Sequence, residues 1–173
     1  MFRSTVFRTI VASFCLLVSA QGASTPRPVA HVPIPTAEGK PVKLSQYRGK
    51  VVVVALISTT CAHCLASVQM LGKFQKEFAP QGFQALAVAA DDGAADRVSG
   101  LLRLQSGIQL GYLDQTSTMQ VFDFKHDDHP YVPIYMFVDR KGTVRFQYAG
   151  KDDFFKNEEK NTRILIESLL KQK

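Results

Sequence analysis

Seven consecutive apolar residues, Val51-Val-Val-Val-Ala-Leu-Ile57, run up to Cys61-Ala-His-Cys64. The run is short, largely β-branched and bounded by Lys50 and Ser58. It shows no alternation of apolar and polar positions. That pattern predicts a strand buried on both faces, the kind a sheet has when helices cover it on either side. After Cys61 the period changes. Val68, Leu71, Phe74 (or Gln75) and Phe78 recur at three- and four-residue steps, and Pro80 and Gly82 end the pattern, which predicts a helix. The two cysteines therefore stand where a buried strand hands over to a helix.

The rest of the chain continues the alternation. Phe83 to Val88 reads as a second buried strand, and Asp92 as a cap for a helix over 93–106. Ile108 to Leu113 reads as a strand and Ser117 to Phe122 as a short helix. Val132 to Val138 and Thr143 to Tyr148 read as strands joined by Asp139-Arg-Lys-Gly142, a hairpin turn by length and glycine. The last helix is expected over roughly Phe155 to Leu170. Upstream, Val32 to Thr36 and Pro41 to Leu44, on either side of Ala37-Glu-Gly-Lys40, suggest a short hairpin that its prolines push to an edge. The expected class is α/β: a central mixed sheet flanked by helices on both faces, with an N-terminal β-hairpin extension.

Residues 1–20 read as a secretory signal peptide and not as part of the fold. Arg3 and Arg8 precede an apolar run from Ile10 to Val18, and Ser19 and Ala20 supply a small-residue cleavage site. The run is about half the roughly 20 apolar residues that spanning a bilayer needs. Residues 21–31 read as a linker and 32–173 as one domain. The expected location is exported, periplasmic or otherwise extracytoplasmic, with membrane contact only through the signal segment if it stays uncleaved.

Composition fits this division. The chain has 173 residues, 46% hydrophobic and 21% charged, which suits one globular domain and excludes disordered and fibrous classes. The net charge of +6 falls to +4 once Arg3 and Arg8 leave with the signal. The remaining basic residues are scattered, and Lys151, Lys156 and Lys160 interleave with acids, as on a solvated face. No nucleic-acid motif accompanies them. Of three cysteines, Cys15 lies in the signal, so Cys61 and Cys64 are the mature chain's only pair.

A thiol at a helix N-terminus faces unpaired N–H groups and the positive end of the helix dipole, which favour thiolate over thiol. Cys61 is thus the expected nucleophile. Cys64, one turn into the helix, is placed to resolve a mixed disulfide by intramolecular attack. His63 adds a local charge that can tune the pair, or is simply an exposed helix residue. A structural disulfide here would close a tiny loop and stabilise little. Haem attachment is excluded, because Leu65 follows Cys64. A metal site stays open: His126-Asp-Asp-His129 could join Cys61 and Cys64 as a Cys2His2 set, or as a thiolate–imidazole copper site. Pro133 interrupts a strand-like run, and a cis Val132–Pro133 bond is the sharper reading of it.

Three anchors in order carry a family resemblance over about residues 32–170. They are Val42-Lys-Leu-Ser-Gln-Tyr-Arg-Gly-Lys50, the strand ending in Cys61-Ala-His-Cys64, and Val132-Pro133-Ile134 followed by Phe137-Val-Asp-Arg-Lys-Gly142. The sequence resembles the thioredoxin-fold thiol–disulfide oxidoreductases of the TlpA/ResA type, within the redoxin (AhpC/TSA-related) group. The resemblance implies a thioredoxin-like fold. It also implies disulfide exchange with protein thiols, a redox partner protein, and no cofactor beyond the Cys61–Cys64 disulfide itself. It implies that cis Pro133 packs beside the pair, with Thr60 and Val132 lining the substrate groove.

There are departures. Thr60 stands where relatives usually have Trp before the first Cys. Ala55 stands where many thioredoxins have a buried Asp that takes the proton of the second Cys. The Ala-His dipeptide is similar to the Pro-His of DsbA-type oxidants. Two rivals are weaker matches. A peroxiredoxin pattern needs a Pro where Val54 stands, although Ser58 fits its Thr/Ser position. A Sco-like copper-binding protein resembles C-x-x-x-C plus a distant His, which only His126 or His129 could supply here.

Overall fold

The structure is a computed structural model and describes residues 25–101, 107–125 and 131–172. The expected signal peptide over 1–20, the last part of the helix expected over 93–106, and both His126 and His129 lie outside the described residues.

Six strands form one mixed sheet: β1 (Arg27–Pro28), β2 (Val51–Ile57), β3 (Phe83–Ala89), β4 (Gln109–Tyr112), β5 (Ile134–Val138) and β6 (Thr143–Tyr148). Their spatial order is β1-β6-β5-β2-β3-β4. β2 pairs in parallel with β3 and antiparallel with β5, so both of its edges are hydrogen-bonded. All seven of its residues are buried, as the unbroken apolar run predicts.

Helices cover both faces. Odd-numbered β2 residues Val51, Val53, Ala55 and Ile57 pack with α1 (Ala62–Phe78), α2 (Ala94–Leu101) and α4 (Glu158–Leu170). Even-numbered Val52, Val54 and Leu56 pack with α3 (Gln115–Phe122) and with Val29, Ile34 and Leu44 of the N-terminal segment. The alternation follows from the two-residue period of a strand.

Three details differ from the sequence reading. The N-terminal hairpin contracts to a single antiparallel bridge, Ile34–Val42. The strap containing it lies on the outer edge of β4, where Thr36 bridges Gly111 and the Tyr112 N–H donates to Pro35 O at 3.0 Å. Arg27–Pro28, expected within the linker, is a strand paired to Val144 and Thr143 of β6. Arg27 donates to Gln147 Oε1 at 2.7 Å, and Val29 is buried, so packing and not composition decides this stretch. Finally, the closing helix starts as a 3-10 turn over Asp153–Asn157 and becomes α-helical only at Glu158.

Gly111 is where the strap approaches most closely. A Cβ there would lie 2.7 Å from Ile34 Cγ2 and 2.7 Å from the Pro35 carbonyl oxygen. The second of these is backbone and cannot rotate aside. Gly111→Ala is therefore expected to lower unfolding free energy by about 1–3 kcal/mol, seen as a lower urea midpoint with an unchanged slope.

Candidate active site

The loop between β2 and α1 is tied down before it reaches the cysteines. Thr59 is buried. Its backbone N–H and its hydroxyl both donate to the Asp91 carboxylate, at 2.8 and 2.6 Å. Arg97 Nε donates to Thr59 Oγ1 at 2.6 Å, and its Nη2 sits 2.5 Å from Asp91 Oδ2. Burial pushes the Asp91 carboxyl up, but the hydrogen bonds from Thr59 and Arg97 outweigh it and hold it below its usual range. Thr60 itself is exposed, with its hydroxyl 3.1 Å from Ser58 Oγ.

Cys61 is the N-cap of α1. Its backbone is extended, and its Sγ accepts the Cys64 N–H at 3.2 Å, so the sulfur serves one of the helix's unpaired donors. The two sulfurs have different surroundings. Cys61 is half-buried, whereas Cys64 is 0% exposed. Burial, followed by the hydrogen bond and negative charge of Cys61, pushes the Cys64 thiol up to about 12. A reagent sulfur can reach Cys61, while Cys64 can be reached only from within the pair.

The Val132–Pro133 bond is cis. β2 and β5 are antiparallel, and their pairing ends at Leu56–Ile134. One step further places Pro133 at the same end of the sheet as the Ser58–Cys61 loop. Gly150 fixes that segment: its N–H donates to Tyr131 O at 2.8 Å, and a Cβ there would meet the Val132 carbonyl oxygen at 3.0 Å. Beside it, Tyr131 is 59% exposed, with Lys151 Nζ 3.7 Å from its ring centroid.

His63 has a definite partner. Its Nε2 lies 2.8 Å from Glu158 Oε2, and its ring meets Phe155 edge-on. The other oxygen, Glu158 Oε1, accepts from Ser67 Oγ at 2.6 Å and from the Tyr135 hydroxyl. Tyr135 is 0% exposed; burial first, then the Glu158 charge and hydrogen bond, push its hydroxyl well above the usual tyrosine value. Among the described residues no group of three or more His, Cys, Asp and Glu could hold a metal ion.

The AhpC/TSA family model matches residues 26–166, most of the described structure. The chain belongs to the AhpC/TSA family. Solved structures of similar shape agree on the fold. A chain assigned as thiol:disulfide interchange protein DsbE from Chlorobium tepidum superposes with a TM-score of 0.71, at 21% identity, over 86% of this chain and 99% of that one. A thioredoxin family protein of the same organism, also a thiol:disulfide interchange protein, gives 0.70 at 18% identity, covering 85% and 98%. The pneumococcal exposed lipoprotein thioredoxin Etrx1 gives 0.63 at 16% identity, covering 81% and 100%. The fold is therefore thioredoxin-like, as the resemblance implied. A glutathione peroxidase 8-A assigned in Xenopus laevis is 39% identical over 51 residues, a stretch spanning 30% of this chain and only 24% of that protein's length.

Within this AhpC/TSA member, the structure places Cys61, Cys64, Thr60, Val132 and Pro133 at one end of the sheet. It pairs His63 with a residue 95 positions away. The sequence reading missed Thr59, Asp91 and Arg97, and also Ser67, Tyr135 and Glu158. No local pattern marks them, since each acts through a partner remote in sequence.

The Asp91 clamp has a pH signature. A carboxyl held below its ordinary value stabilises the fold above that value, and the contribution is lost as pH falls through the lowered one. Asp91→Asn is therefore expected to lower the urea midpoint at neutral pH. The gap between variant and wild type should close as pH falls below about 4, read from paired urea titrations across the acid range.

Proposed function

We propose that this chain is an exported thiol–disulfide oxidoreductase that exchanges a disulfide with protein thiols through Cys61 and Cys64. The observation that carries the reading is the asymmetry of the two sulfurs: a half-buried Cys61 capping α1, and a wholly buried Cys64 one turn behind it. In the reducing direction, Cys61 sulfur attacks a substrate disulfide. A Cys61–substrate mixed disulfide forms, and one substrate sulfur leaves as thiolate. Cys64 then attacks Cys61 Sγ, closes the Cys61–Cys64 disulfide and releases the second substrate sulfur. A redox partner protein returns the pair to its starting state, and no dissociable cofactor enters. The oxidising direction is the same sequence reversed.

The surroundings support protein substrates. Val132 precedes cis Pro133 at the sheet end that also holds the cysteine loop, where its backbone can pair with an extended substrate segment. Thr60 is exposed beside the nucleophile and Tyr131 is exposed beside Val132, so the approach is open. The names of two similar structures, both thiol:disulfide interchange proteins, support the chemistry, and that of a third, an exposed lipoprotein thioredoxin, supports an extracytoplasmic location.

Cys61→Ser is expected to abolish reduction of insulin, and Cys64→Ser to accumulate a mixed disulfide visible by mass. Full turnover by either single variant would sink the exchange reading, as would consumption of hydrogen peroxide by Cys61 much faster than disulfide reduction. The reduction potential of the pair decides the direction: near about −270 mV it is a reductant, near about −120 mV an oxidant.

Export is tested separately. Expressed from Met1 in a bacterium with a periplasm, the protein is expected in the periplasmic fraction with residues 1–20 removed, measured by intact mass. Full-length protein in the cytoplasmic fraction alone would reject the signal reading.

A further inference from the structure

The exchange reading leaves one proton without a destination. Cys64 must lose it before attacking Cys61, yet burial keeps the Cys64 thiol protonated. On this face of β2, position 55 is an alanine, so the strand carrying the redox loop offers no acceptor. The register shows what takes its place. Ala55 pairs directly with Tyr135 on β5, and the two share a core layer with Cys64. The Tyr135 ring packs on Phe137, Phe154 and Phe155. Its hydroxyl donates to Glu158 Oε1, and the same carboxylate is met by His63 and Ser67, which flank Cys64 on α1.

We propose that Glu158 is the proton acceptor for Cys64 in the resolving step, reached through the Tyr135 hydroxyl. This assignment rests on the exchange reading and adds a residue to it. The Cys64 Sγ–H proton is taken up at Glu158 Oε1 by way of the Tyr135 hydroxyl, which donates to that oxygen. The electron pair left on Cys64 Sγ forms the bond to Cys61 Sγ. The bond from Cys61 to the substrate sulfur breaks, and that sulfur leaves with its electron pair. Glu158 Oε2 then faces His63 Nε2 at 2.8 Å, and His63 is 49% exposed, so the proton has a route to solvent.

The carboxylate is built for this place. It belongs to the first residue of α4, which a 3-10 turn presents to the pair. That turn is fixed by aromatic packing: Phe154 stacks on Tyr148 at 4.3 Å, and Phe155 packs on Tyr135. The Glu158 side chain is 14% exposed. The titratable groups facing it are His63 from α1 and Tyr135 from β5, with Cys64 between His63 and Ser67 on α1. Glu159 and Lys160 on its own helix are exposed. Glu158 acts through Tyr135 and not on sulfur directly, so the test needs a readout that a merely structural role would not move.

The reduced full-length protein is mixed with 5,5′-dithiobis(2-nitrobenzoate) in a stopped-flow instrument across pH. The first thionitrobenzoate released reports attack by Cys61, and the second reports resolution by Cys64. Glu158→Gln keeps the size and hydrogen-bonding reach but not the base. It is expected to slow the second phase by about tenfold or more relative to the first at neutral pH, with the second phase now rising in proportion to hydroxide. Tyr135→Phe, which removes the intervening hydroxyl, is expected to show the same split, and Glu158→Asp to recover part of the rate. Two-phase kinetics with an unaltered second-phase pH profile in both Glu158→Gln and Tyr135→Phe would overturn the assignment and leave the exchange reading standing. Equal slowing of both phases together with a lowered melting temperature would overturn it too, as a structural effect. A wild-type protein that releases no second equivalent would overturn the exchange reading itself, and this assignment with it.

Discussion

Strand β2 is the constraint on which the rest of the molecule depends. It is hydrogen-bonded along both edges and buried on both faces, so its C-terminal end has one position. Whatever follows Ile57 starts from a fixed point. Four residues later Cys61 opens α1, and the same sheet end receives the start of β5 with cis Pro133. A loop anywhere else could carry the same cysteines without the same neighbours. The Asp91–Thr59–Arg97 clamp extends this rigidity across the short stretch that β2 does not cover, using the end of β3 as its base.

Given that fixed point, the helix turns two identical side chains into two different reagents. Three residues of helix carry the chain from the cap position, open to solvent, to the first buried row, where Cys64, Val68 and Leu71 face the sheet. The 3.6-residue period alone separates accessible from inaccessible sulfur. The hydrogen bond from the Cys64 N–H to Cys61 Sγ links them through the backbone. The order of events in exchange, outer sulfur first and inner sulfur second, follows from burial before any question of potential arises.

Much of this was legible in the sequence because it is written locally. An unbroken apolar run specifies a two-face buried strand, and a switch to three- and four-residue spacing specifies the helix after it. The C-x-x-C spacing at their junction and the proline inside a strand-like run specify the pair and its neighbour. What stayed illegible is carried by long-range packing. Arg27–Pro28 has linker composition and becomes a strand because β6 offers an edge and Gln147 a partner. Glu158 sits in a stretch of charged residues near the end of the chain, where nothing separates it from Glu159. Only the turn of α4 sends one carboxylate inward to His63, Ser67 and Tyr135 and leaves the next exposed.

Ala55 shows why the carboxylate comes from that helix. An acid at position 55 would be flanked by Val53, Ile57 and Tyr135, all essentially unexposed, and an ion there costs several kcal/mol before any partner compensates it. At the start of α4 a carboxylate retains a little solvent. It gains hydroxyl donors from Ser67 and Tyr135, faces an imidazole, and meets the favourable end of the helix dipole. Tyr135, which donates to it, is the β5 partner of Ala55 and packs on Phe137, Phe154 and Phe155. The acid on α4 thus meets, through one hydroxyl, the residue paired with the position where an acid on β2 would stand.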